Sequence, residues 1–147
     1  MKTGFIAAAV FFLSLPASAS PASEEEIAAA THAWIDAMNS HDPGKVTALY
    51  AADAVLWGTR SATLRDNPDA IREYFNALRS ADPSYKVVLG EQHIRVYDDI
   101  AINTGSYSFS EIRDGKEAVR SSRFTFVYRN HDGRWLIVEH HASAVPS

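Results

Sequence analysis

The feature that most constrains this chain is a change of hydrophobic period at Tyr85. Before it, apolar residues recur at helical spacing; after it, they alternate. Segments 85–97, 100–112, 117–130 and 134–143 read as four long strands. Asp98-Asp99, Asp114-Gly115 and Asp132-Gly133 separate them, and such pairs suit tight reversals. Four sequential strands joined this way form an antiparallel meander.

Ahead of the meander the spacing predicts a first helix over about 24–39, with Ile27, Ala30, Trp34 and Met38 on one stripe. Ser23-Glu24-Glu25-Glu26 is a capping box at its start. Asp42-Pro43 opens a short second helix whose buried side is Val46, Leu49 and Tyr50. Ala54–Trp57 reads as a short strand and Thr59–Arg65 as a second extended piece. Asn67-Pro68 starts a third helix with Ile71, Tyr74, Phe75 and Leu78 as its stripe, and Pro83 lies beyond its end. Helices followed by sequential strands make an α+β domain. Strands this long twist and curl. The sheet is therefore expected to be cone-shaped, curved and antiparallel, wrapped around the N-terminal helix, with a pocket at its open mouth.

The first 20 residues, MKTGFIAAAVFFLSLPASAS, have a cationic start, an apolar core and a small-x-small site at Ala17-Ser18-Ala19. This is the pattern of a signal peptide over residues 1–19, leaving one domain over 20–147 and a periplasmic or secreted protein. A retained anchor is the competing reading, but the apolar run is short for a bilayer. Zero Cys among 147 residues excludes disulfides, thiolate nucleophiles and Cys-ligated metals. A net charge of −4 offers no footprint for nucleic acid. No membrane association is expected after cleavage, and no cofactor motif such as GxGxxG follows any strand.

The stretch Arg123 to Pro146, RFTFVYRNHDGRWLIVEHHASAVP, resembles the C-terminal hairpin of the SnoaL-like families of the nuclear transport factor 2-like superfamily. Within them it is most similar to the SgcJ/EcaC-type branch, related to the association (hub) domain of calcium/calmodulin-dependent protein kinase II. Leu49–Val55 (LYAADAV) and Asp69–Phe75 (DAIREYF) agree. The resemblance implies a cone-shaped barrel, homodimeric through the outer sheet face, with a cavity between sheet and first helix. Its members include isomerases, dehydratases, cyclases, hydrolases and non-enzymatic assembly modules, and the fold does not select among them.

Hub-domain register places Phe126 on the cavity face, together with Tyr107, Phe109, Leu136, Val138, His140 and Ala142; Phe124 shares the Phe126 face by alternation. Tyr107, Phe126 and Ala142 stand where the hub family carries arginines. The pocket is therefore expected to be aromatic and uncharged, suited to a small neutral or apolar molecule. Trp34 and Trp57 are candidates to stack on a flat ligand, with core packing the blander role for Trp34. His140, with Tyr107 as partner, is the candidate general base of a cofactor-independent isomerase, dehydratase or hydrolase; a satisfied wall histidine is the alternative. His140 and His141 alternate across the sheet and no His pair has chelating spacing, so no metal site is expected. Asp36 is expected to face solvent, Asp53 to cap a turn, and Arg120 to be solvated or at the mouth. Trp135, Ile137 and Val127 are expected on the outer face as the dimer patch, beside an Arg123–Glu139 cross-strand pair.

Overall fold

The computed structural model describes residues 24–146. The signal segment 1–19 and the Ser23 capping box lie outside these residues. Helix α1 spans Glu24–Asn39, with three glutamates in its first turn, where the positive end of the helix dipole favours them. Helix α2 is Pro43–Thr47; the Asp42 side chain caps it by accepting from the Gly44 N–H at 2.8 Å. Strand β1 runs Tyr50–Trp57. Helix α3, Pro68–Phe75, is capped by Asn67, which accepts from the Ala70 N–H, and continues as a 3-10 turn over Asn76–Ser80. The meander follows: β2 Lys86–Tyr97, β3 Ile100–Arg113, β4 Lys116–His131 and β5 Arg134–Ala144. The three strand turns carry Asp98, Asp114 and Asp132 at positive φ, with Gly115 and Gly133 following the last two.

The five strands form one curved, unclosed sheet in the order β1-β5-β4-β3-β2, antiparallel except where β1 runs parallel to β5. Its concave face wraps α1. Ile27, Trp34 and Met38 from the helix meet Ala101, Phe124, Phe126 and Tyr128 from the sheet, all of them buried. The α+β cone anticipated from the sequence is present, and its long strands fall close to the expected limits. Tyr50, expected on α2, instead opens β1.

Two irregularities bend the sheet. In β2, Gly90 and Glu91 together oppose Ser106, the two-against-one pattern of a β-bulge. The crossing strand is so close there that a Cβ on Gly105 would collide with the Glu91 carbonyl oxygen, which is why glycine stands at 105. The second bulge lies in β5. Tyr128 pairs with Ile137 and Val127 with Glu139, so Val138 is an extra residue. It reverses the expected alternation on its N-terminal side. Ile137 turns inward and is 1% exposed, while Val138 sits with Glu139 on the convex side.

Several expectations change with this phase. Leu136 and Val138 leave the cavity face. Trp135 also turns toward α1, where its indole N–H donates to Glu26 at 3.4 Å. Val127, Leu136 and Val138 replace Trp135 and Ile137 as the convex apolar residues. Arg123 stands opposite Ser143 and Glu139 opposite Val127, so the anticipated Arg123–Glu139 pair does not form. Asp53 caps no turn: it lies on β1 and takes both oxygens to Arg129 at 3.0 Å, which holds its carboxyl below the usual range. Asp36 is exposed, as its place around the helix requires.

Candidate functional site

The mouth of the cone opens into a cavity of about 960 Å³ between α1, the α3 segment and the concave sheet. Its floor is aromatic. Trp34, on the α1 stripe, stacks on Tyr107 of β3 at 5.4 Å between ring centroids. Tyr107 in turn stacks on Phe124 at 5.2 Å and meets the edge of Phe109 at 5.1 Å. Tyr85, stacked on Phe109, forms a side wall, and burial pushes its phenol up to about 12. Tyr74 closes the opposite side. A Cβ at Gly58 would run into its ring, so glycine at that position lets the β1–α3 loop pass beneath it.

The sequence placed His140 and Tyr107 on one wall, and the structure brings them together there. His140 is 2% exposed, packed against Phe126 at 4.3 Å and Trp34 at 5.5 Å. Its Nδ1 lies 2.8 Å from the Tyr50 hydroxyl, and its Nε2 lies 3.4 Å from the Tyr107 hydroxyl. Burial within this cage, with the charge of adjacent His141 adding to it, lowers the pKa of His140 to about 3. Tyr50 is held well above the ordinary phenol range, again by burial, and Tyr107 is raised likewise. At neutral pH the whole floor is therefore uncharged.

The protons on this floor can be assigned. Trp34 donates its indole N–H to the Tyr50 oxygen at 3.1 Å, and an indole N–H can only donate. The Tyr50 hydroxyl has two partners, Trp34 and His140, so its own proton goes to His140 Nδ1. The reverse arrangement would leave a buried O–H unpaired, at a cost of about 1–3 kcal/mol. His140 is thus the Nε2–H tautomer, with its basic nitrogen already occupied. A base that is both occupied and this weakly basic is poorly matched to proton abstraction near pH 7.

Charge appears only at the mouth. Arg65 pairs with Glu73 at 3.0 Å, and Glu111 receives Arg113 at 2.7 Å and Arg120 at 3.5 Å. Arg120, expected either solvated or at the mouth, is half-exposed and lines this rim. The sequence reading missed Tyr50 and the rim residues Arg60, Arg65, Glu73, Glu111 and Arg113. No local pattern marks them, because the mouth forms from a loop, a helix and two strand ends remote in sequence.

The other candidates are placed differently. Phe109 lines the cavity, whereas Phe124 and Phe126 lie behind its wall and back Tyr107 and His140. Val138 is on the convex side, where the β5 bulge puts it. Trp57, opposite His141 at the end of β1, is 44% exposed and outside the cavity. Among the described residues no group of three or more His, Cys, Asp or Glu comes together to hold a metal.

The family model for the calcium/calmodulin dependent protein kinase II association domain matches residues 23–146. The chain belongs to this family. A solved structure of a candidate association domain of the same kind, from Xanthomonas campestris, is 36% identical over 92% of this chain and 94% of its own, with a TM-score of 0.76. A hub homology domain of the kinase from Chlamydomonas reinhardtii is 19% identical, covering 83% of this chain and 98% of its own (TM-score 0.71). A candidate dehydratase of the NTF2-like family from Streptomyces avermitilis is also 19% identical, over 84% and 96% (TM-score 0.71). The last two likenesses establish the NTF2-like fold and no more. No curated protein matches the chain.

Proposed function

We propose that this association-domain protein is a binding module whose cavity takes a small, flat, largely neutral molecule. The observation that carries this reading is the 960 Å³ cavity with an uncharged aromatic floor. Its size is within the range of small-molecule sites, and its few polar groups converge on one place. The rim carries four arginines, Arg60, Arg65, Arg113 and Arg120, against Glu73 and Glu111, so its charge stays at the mouth, clear of the uncharged floor. Base catalysis by His140 is the weaker reading, because both nitrogens face partners and burial keeps the ring neutral.

Native mass spectrometry of the purified protein, with a thermal-shift screen of neutral aromatic compounds, tests the proposal. Ala77 lines the mouth and is exposed, so Ala77→Trp obstructs the cavity without disturbing the core. Binding that survives this variant unchanged takes place elsewhere. Self-association is a second element of the proposal, favoured by membership of an association-domain family. The convex residues Val127, Leu136 and Val138 would form its apolar centre; a monomer mass in light scattering, unchanged by Val138→Glu, argues against it. Export through residues 1–19 to the periplasm or medium is proposed as well. Its check is the mass of the protein recovered from cells, which should lack that segment.

A further inference from the structure

We propose that the cavity floor is a one-way donor chain, Trp34 to Tyr50 to His140 to Tyr107, that selects ligands presenting an acceptor oxygen, a carbonyl above all, to the Tyr107 hydroxyl. The inference rests on the binding reading and adds the polarity of the ligand to it.

A chain built of hydroxyl groups can reverse: each O–H rotates, and donors become acceptors. This one cannot, because its first member is an indole N–H. Tyr50 receives from Trp34 and passes its proton to His140 Nδ1. His140 then carries its hydrogen on Nε2, aimed at the Tyr107 oxygen 3.4 Å away. Receiving there, Tyr107 keeps its own proton for the cavity. That proton faces the hollow, where Thr59 of the mouth loop shares the lining with Tyr107.

The rings are held in place for this. Trp34 stacks on Tyr107 and stands edge-on to His140, and Phe124 and Phe126 back the two from behind. A ligand that donates to Tyr107 shares its oxygen with His140 and leaves the Tyr107 proton unanswered. A ligand with no polar atom leaves the buried Tyr107 hydroxyl proton unanswered. A carbonyl meets neither obstacle.

Two measurements decide the matter. In long-range 1H–15N correlation spectra of the unliganded protein, His140 should show the Nε2–H tautomer, unchanged between pH 7 and pH 5. The second compares 2-acetylnaphthalene with 2-isopropenylnaphthalene, alike in shape but differing in C=O against C=CH2. The ketone should bind about tenfold tighter, as expected for one added hydrogen bond. Tyr107→Phe should bring the two probes to within about twofold by the same reasoning. Tyr50→Phe should narrow the ratio too, because His140 is then free to shift its hydrogen to Nδ1 and accept from Tyr107.

A dominant Nδ1–H tautomer in the wild type overturns the donor chain, whether or not any ligand binds. Equal affinity for the two probes overturns the selection of an acceptor while leaving the binding reading standing. If neither probe binds, the ligand half of the proposal falls together with the binding reading, and the tautomer still decides the chain.

Discussion

Two buried polar clusters join α1 to the concave sheet, one turn of helix apart, and they conduct hydrogen bonds in opposite directions. At the closed end, Thr31 is a sink. Its hydroxyl accepts from Asn103 Nδ2 at 2.8 Å and from Tyr128 at 2.9 Å, then donates to the Ile27 carbonyl at 3.0 Å, where the path stops in the helix backbone. At the open end, Trp34 is a source, and the path runs outward through Tyr50 and His140 to the cavity. In the first cluster Asn103 Nδ2 also donates to Gln92 Oε1 at 2.8 Å, and only Asn103 Oδ1 is left without a partner. The second ends on a hydroxyl at a hollow. Similar residue types thus serve a seal at one end and a site at the other, and the difference lies in whether the α1 residue ends the chain or begins it.

The largest test of that contrast is Trp34→Ala. It removes a side chain 1% exposed and the head of the outward chain, and should cost about 3–5 kcal/mol in urea denaturation. Tyr50→Phe keeps the ring and deletes the relay, leaving the Trp34 N–H and His140 Nδ1 unanswered. About 2–3 kcal/mol should be lost by the same measurement; a near-neutral variant would mean that the relay holds nothing together.

The outward cluster should also set the response to acid. Unfolded, His140 takes up its proton near 6.5; folded, it resists until about pH 3. Over that interval the unfolded chain binds the extra proton, so stability falls as pH drops below about 6.5. The slope from this group approaches about 1.4 kcal/mol per pH unit, or about 2 kcal/mol between pH 6.5 and pH 5. The slope should shrink by nearly one proton in His140→Gln, while Asn103→Leu should leave it untouched.

The smallest effect is expected at the closed end itself. Asn103 already carries an unpaired oxygen, and Thr31 keeps Tyr128 as a donor when the amide is gone. Asn103→Leu removes the unpaired oxygen together with the Nδ2 bonds to Thr31 and to the part-exposed Gln92, and should cost about 1 kcal/mol. A loss as large as that of Tyr50→Phe would erase the distinction between the two clusters.

What could be read ahead of the structure follows the range of the forces involved. Caps at Asp42 and Asn67, the Trp34 stripe and the three strand turns are set by residues a few positions apart, so α1 and the four meander strands stood close to their true limits. Strand β1, however, begins at Tyr50 rather than Ala54, and the expected extended piece Thr59–Arg65 is a loop joined to β1 by one Leu56–Arg65 bridge. The hub-domain register that the resemblance implies also put Tyr107 and His140 on a common face, because each depends on the phase of its own strand. The same rule failed at Val138 and Leu136, where one extra residue in β5 reverses the phase. A bulge is a property of two strands in register, and nothing in the segment IVEHH announces it.

From its sequence alone, then, this chain determined its helices, its meander and the α+β cone they build, since local spacing and turn chemistry decide those. Tertiary structure decided that Tyr50 leaves α2 to stand between Trp34 and His140, that Arg120 meets Glu111 at a mouth, and that Trp57 turns away from the hollow. Those outcomes depend on where one strand lands against another, and side chains separated by 90 positions, as Tyr50 and His140 are, have no local signal by which to find each other.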